Sequence, residues 1–246
     1  MLTPNVADGI HRVEDAHVNW YIVEGDGALT IVDCGVPTSW DSLEQALARL
    51  GRRRDDVAAV VLTHAHFDHI GFAERARSEL GVPVFVHEND VLLTRHPTQY
   101  AHERNPALYA ATHPKALPVI WGFLRTRAFL PRSIRAVERY VDGTLDVPGH
   151  PHVVFTPGHT LGHCSLHFPD RGALIAGDAV VTFNPYRGEP GPQIVAAAAN
   201  ADSERALGSL DAIAETGAKT VLPGHGEPWR DGAEAIVDAA RLVGIT

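Results

Sequence analysis

The sequence predicts an α/β fold (α+β where its strands and helices segregate), and three observations carry that expectation. Runs of strand length alternate with helical patterns in both halves of the 246 residues. No Ser/Gly linker or fixed-period repeat divides them, so one domain over 1–246 is expected, with helices covering β-sheets. Several apolar runs also end in turns that carry histidine or aspartate.

In chain order, Val18–Val23 and Ala28–Val32 are β-rich runs joined by Glu24-Gly25-Asp26-Gly27, a hairpin signal. A helix follows, capped by Thr38 or Ser39, with Leu43, Ala46, Leu47 and Leu50 at helical spacing and Gly51 at its end. The unbroken apolar run "VAAVVLT" (57–63) reads as a buried strand. "AERARSELG" reads as helix and "VPVFVHE" as strand. Residues 88–140 hold short helical patterns interrupted by Pro97, Pro106, Pro114, Pro118 and Pro131, a helical insertion. Strand character returns at 152–156, 163–168 and 172–177. A helix is expected over about 203–216, a strand at "KTVLP", and a last helix from near Asp231 to near Gly244.

Composition narrows the function. A net charge of −9, from 21 basic and 30 acidic residues, disfavours a nucleic-acid partner, since phosphate binding needs a basic surface. The first residues lack the basic start and apolar run of a signal peptide, and no window reaches the roughly 20 apolar residues of a membrane span. A soluble, cytoplasmic protein acting on a small molecule, without a membrane partner, is therefore expected; the oligomeric state is not encoded in any pattern. Two cysteines, Cys34 and Cys164, make no disulfide framework.

Fifteen histidines are many for this length, and histidine is the commonest metal ligand. In "VVLTHAHFDHIGF", His64, His66, Asp68 and His69 follow a buried strand, where α/β folds commonly place their sites. A His-x-His pair in extended backbone projects both rings to one side. Adjacent Asp68 and His69 must diverge, so the cluster serves two neighbouring ions more readily than one. His and Asp donors suit Zn²⁺, with Fe²⁺ or Mn²⁺ as alternatives. Three later strand-to-turn junctions add His159 ("TPGHTLGH"), Asp178 ("LIAGD") and His225 ("LPGHG"), each flanked by glycine.

These motifs, with the early "IVDCG", resemble those of the metallo-β-lactamase-fold superfamily along most of the chain. The resemblance implies a four-layer αββα sandwich with two metal ions at one edge. It implies that His64, His66 and His159 hold the first ion, that Asp68, His69 and His225 hold the second, and that Asp178 bridges them. A hydroxide shared by two zinc ions would then attack a carbonyl carbon, with Asp68 orienting it and passing on its proton. Asp33, in "IVDCG", matches a position that supports ligand histidines, or it is a plain turn residue. His163 is either a second support or a structural histidine.

Substrate is harder to read. Asp178 stands where true β-lactamases carry Cys or Ser, which points to glyoxalase II, lactonase or phosphodiesterase branches. The chain runs 21 residues beyond His225, room for one helix and not for a glyoxalase II C-terminal domain. Val181 stands where acyl-homoserine lactonases often have Tyr. An ester, thioester or lactone hydrolase is expected; a mononuclear-iron persulfide dioxygenase-like redox enzyme is the rival from another class, and a phosphodiesterase or β-lactamase-like hydrolase a further one. Residues 91–139 carry eight basic and two acidic side chains, with Trp121 among their aromatics. They form either a lid over an apolar, even anionic, substrate or a packing or dimer element. The loop 182–192 offers Phe183, Tyr186 and Arg187 to the pocket, or is a plain connection.

Overall fold

The computed structural model describes residues 1–246. Seven strands form the first sheet in sequence order: β1 (Leu2–Ala7), β2 (Ile10–Asp15), β3 (Val18–Gly25), β4 (Ala28–Val32), β5 (Val57–Val61), β6 (Val84–His87) and β7 (Glu138–Tyr140). Pairing is antiparallel from β1 to β4 and parallel from β4 to β7. The second sheet collects β8 (Gly143–Thr144), β9 (His152–Phe155), β10 (Cys164–Phe168), β11 (Ala173–Gly177) and, parallel to β11, β14 (Thr220–Pro223). Between β11 and β14 lies a separate two-stranded sheet, β12 (Val181–Asn184) and β13 (Glu189–Gln193).

Period-two alternation stacks these sheets. On β3, Trp20 and Ile22 face outward to Leu43, Ala46 and Leu47 of α1 (Ser39–Leu50), while Tyr21 and Val23 face inward to Leu166, Phe168 and Ile175. On β11, Ile175 joins that inner layer, whereas Leu174 and Ala176 pack outward against α6 (Ser203–Glu215) and α7 (Ala233–Val243). The result is the helix–sheet–sheet–helix sandwich that the resemblance implies. No helix is long and apolar enough to cross a membrane.

One local expectation is refined and two are corrected. "AERARSELG" is one α-turn, α2 (Ala73–Arg75), that widens into a π-turn over Ala76–Leu80 before Gly81 ends it at φ 73°. The insertion contributes α3 (Val91–Arg95), α4 (Pro106–Thr112) and α5 (Leu117–Arg125), but its end is β7, held by the Tyr140 hydroxyl donating to the Leu62 carbonyl at 2.7 Å. Residues 182–192, expected as a loop, are mostly the β12–β13 hairpin. Pro190 and Pro192 are tolerated there because β13 pairs on one side only.

Candidate metal centre

Four strand ends deliver the predicted ligands to one place. His64, His66, Asp68 and His69 follow β5, His159 lies between β9 and β10, Asp178 follows β11 and His225 follows β14. All seven are buried. The ligand-capable atoms of His64, His66 and His159 lie within 4.8 Å of one another, and so do those of Asp68, His69 and His225. Asp178 stands between the two groups: its carboxylate oxygens lie 3.4 Å from His159 Nε2, 3.6 Å from His69 Nε2 and 3.2 Å from His225 Nε2. Asp68 Oδ2 is 3.6 Å from His225 Nε2.

The far ring nitrogens explain the orientation. His69 Nδ1 donates to Asp33 Oδ2 at 3.2 Å, His159 Nδ1 to Asn200 Oδ1 at 2.9 Å, and His225 Nδ1 to the His17 carbonyl at 2.7 Å. His64 Nδ1 donates to Thr63 Oγ1 at 3.0 Å, which in turn donates to Asp33 Oδ2 at 2.8 Å. With Nδ1 carrying the proton, Nε2 presents a lone pair to the centre. The Nε2 atoms of His64, His66, His69 and His159 and one oxygen of Asp178 are buried without any hydrogen-bond partner. Five converging orphaned donors are costly in a protein interior and are what a cation satisfies. The residues therefore fit a divalent metal.

Charge agrees. Burial, and then the neighbouring rings, push His64 and His66 well below the usual histidine range, so both are neutral donors. Burial also opposes a charge on His69, but Asp178, Asp68 and Asp33 outweigh it and raise that ring to about 10. For Asp178 burial opposes ionisation, yet His225 and His69 hold the carboxyl well below the ordinary carboxylate range. The carboxylates draw positive charge to this side, and a dication supplies it while displacing the ring protons. Space is reserved as well: a Cβ at Gly224 would stand 2.0 Å from Asp178 Oδ1 and 2.9 Å from His69 Cε1.

The Asp33 carboxylate also lies within ligand distance of His64 and His69, but it is already engaged by hydrogen bonds. Its oxygens are taken by Thr63 N and Thr63 Oγ1, both at 2.8 Å, and by His69 Nδ1. Asp33 holds φ 59°, in the left-handed region that aspartate tolerates better than most residues. His163 accepts from Asp178 N at its Nε2 (3.0 Å), and its Nδ1 faces Thr156 Oγ1 at 2.8 Å, so it buttresses the Asp178 backbone.

Burial first, and His159 next, push His163 down to about 3. The unfolded chain, with histidine near 6.5, then binds the extra proton between the two values. This stability is full above about pH 6.5 and is lost as pH falls toward the folded value, by at most about 1.4 kcal/mol per pH unit. In urea melts of metal-free protein, His163→Gln is expected to flatten the fall in stability between about pH 6.5 and pH 4. A slope equal to that of the unsubstituted chain would mean that His163 is not held neutral.

Four buried residues escaped sequence reading. Asp90 accepts from Ala65 N, Gly162 N and Thr160 Oγ1, tying the His64–His69 loop to the His159 loop. Asn200 steadies His159. Asn19 donates to the Pro223 and Gly226 carbonyls, and the Tyr21 hydroxyl donates to that of Pro223, clamping the His225 turn. Only Asn19 left a signal, as an amide inside an apolar strand run.

The proposed substrate contacts separate. Tyr186 lines a cavity of about 300 Å³ beneath the insertion. Phe183 stacks on His17, with ring centroids 5.6 Å apart. Arg187 is tied to Glu189 and reaches Tyr109, outside that cavity's lining. Trp121 is 62% exposed and also lies outside it, because its face of α5 points to solvent. All eight basic residues of 91–139 are exposed, so they do not make the cavity anion-binding.

A sandwich with a buried His/Asp cluster at its strand ends is the frame of a metal-dependent enzyme, and the comparisons with known proteins agree. Residues 13–225 match the family model of the metallo-beta-lactamase superfamily. The chain belongs to that superfamily and is a metal-dependent hydrolase. Probable metallo-hydrolase YflN of Bacillus subtilis is 28% identical over 235 residues, covering 90% of this chain and 85% of that protein. The metallo-beta-lactamase family protein TTHA1429 of Thermus thermophilus superposes at TM-score 0.68 with 25% identity, over 96% of this chain and 78% of that one. TTHA1623, solved in a di-iron-bound form, superposes at 0.64 with 23% identity, over 94% and 98%.

Proposed function

We propose that this chain is a dinuclear hydrolase, loaded with zinc, that cleaves an ester, thioester or lactone at the carbonyl carbon. The observation that carries this reading is the placement of Asp178 between the two buried ligand groups, with four histidine Nε2 atoms left unpartnered around it. His64, His66 and His159 would hold one ion, Asp68, His69 and His225 the other, and Asp178 both. When bound, such ions acidify water and polarise a carbonyl as Lewis acids.

The chain's own groups do the rest. Asp68, 7% exposed at the edge of the cluster, orients the attacking water and accepts its proton. Asp33 and Asn200 keep the rings of His69 and His159 aimed. Burial of the cluster excludes bulk water and strengthens each electrostatic contact. Cys34 and Cys164 take no part: both are buried, and burial pushes their thiols up, away from the nucleophilic thiolate. Two unpaired cysteines and an acidic balance also support a cytoplasmic enzyme acting on a small molecule.

Iron or manganese suits the same donors, and one structural relative is di-iron-bound. Elemental analysis of protein purified without added metal, followed by a screen of aryl esters, lactones, thioesters, phosphodiesters and β-lactams, tests the reading. About two zinc ions per chain, with hydrolysis of a carbonyl substrate that a chelator abolishes and zinc restores, is the expected result. One iron per chain, with oxidation of a persulfide and no hydrolysis, would overturn it.

A further inference from the structure

Two cavities meet at Tyr100. One, of about 320 Å³, includes His66 and His159 of the cluster together with Asn89, His96 and Gln99. The other, of about 300 Å³, is lined by Phe67, Val119, Ile120, Phe123 and Phe129, among others. Tyr100 lines both. Its ring centroid lies 4.4 Å from that of His66, and its hydroxyl is 2.9 Å from the hydroxyl of Tyr186, which lines the second cavity. Phe67, which lines the second cavity, is the chain neighbour of both His66 and Asp68, so that cavity lies next to two of the candidate ligands.

The second cavity's chemistry is one-sided. Ten of its twelve lining residues are hydrophobic, and none is charged. Its two hydroxyls, of Tyr100 and Tyr186, share one hydrogen bond. Phe67, Phe123 and Phe129 pack edge-on or tilted with centroids 5.0 to 5.8 Å apart and form an aromatic wall. A charge placed there would lose its hydration for at most one tyrosine hydroxyl and no opposite charge, whereas a hydrocarbon chain would lose only unfavourable contact with water. The volume is that of a small-molecule site.

Resting on the hydrolase reading above, we propose that the substrate is an ester or thioester with one uncharged hydrocarbon arm of medium length. That arm passes Tyr100 into the apolar cavity, while the polar remainder stays in the cleft that carries His66 and His159. The insertion at 91–139 is then a specificity element through its buried aromatic face, and its surface arginines take no part in binding.

Two measurements test this. The first is kcat/KM across p-nitrophenyl acetate, butyrate, hexanoate, octanoate and decanoate, and across n-alkyl acetates of the same lengths. The second is binding of the neutral fluorophore N-phenyl-1-naphthylamine and its displacement by n-alkanols, which requires no turnover. In one ester series kcat/KM is expected to rise by about fourfold per methylene up to a limit set by the cavity, from about 0.8 kcal/mol per buried methylene. Ala110→Trp and, at a more exposed lining position, Ala107→Phe should each lower the ratio of octyl to two-carbon substrate at least tenfold and weaken fluorophore binding. If the esters are hydrolysed with no length dependence in either series, or if both folded variants keep that ratio, the cavity is not the substrate site. If no ester turns over but alkanols displace the fluorophore with a length dependence that both variants lose, the cavity assignment stands and the ester reading fails.

Discussion

Replacing Asp178 with alanine is expected to leave at most one ion per chain and to cut kcat/KM on any hydrolysed substrate by about 10³-fold or more. Its carboxylate lies within 3.6 Å of histidines from both ligand clusters, His159 on one side and His69 and His225 on the other. An alanine there removes a donor from each cluster and the negative charge that draws cations to the centre. Lewis-acid stabilisation is worth several kcal/mol, and each 1.36 kcal/mol is tenfold in rate. Metal content by elemental analysis, beside kinetics and a melting curve, checks this. Two ions retained with activity intact would remove Asp178 from the shared position; the same result with one ion would end the two-metal mechanism.

Asp33→Asn should damage the centre without touching a ligand. Asp33 accepts three hydrogen bonds, two from Thr63 and one from His69 Nδ1. An asparagine can accept with one oxygen only, and its amide presents a donor. If that amide faces His69, the ring must move its proton to Nε2, which blocks the lone pair aimed at the metals. Loss of such an orienting partner weakens metal binding by about 10- to 100-fold, and an unpaired buried group costs about 1–3 kcal/mol. Competition with a chelator measures the first effect, and urea unfolding of metal-free protein the second. Asp90→Asn is the control: it is equally buried and accepts three hydrogen bonds, none from a ligand. Should Asp33→Asn lower stability alone, with metal affinity unchanged, Asp33 is a structural residue and nothing more.

The ligand-bearing turns were legible in the sequence because each follows an unbroken apolar strand and carries a residue type with no other reason to be buried there. Strands β3, β4 and β5 and the helix ending at Gly51 were legible for the same local reasons: period, length and a turn residue. The β12–β13 hairpin was not, since its prolines and glycines are equally the signature of a loop, and only pairing with β12 makes Glu189–Gln193 a strand. Trp121 misled because helical spacing in the insertion does not say which face meets the body; Val119 and Phe123 are buried and Trp121 is not.

By itself the sequence determined which strand ends carry candidate metal ligands, since donor chemistry and strand-end placement are local properties of the chain. Tertiary structure decided the rest. It brought residues as distant as His64 and His225 to a common carboxylate, and it gave Asp33, Asn200, Asp90 and Asn19 their partners. It also turned the aromatic face of a basic segment inward and its arginines outward. Such outcomes depend on which surfaces meet when two sheets stack, and no local pattern in the chain encodes that meeting.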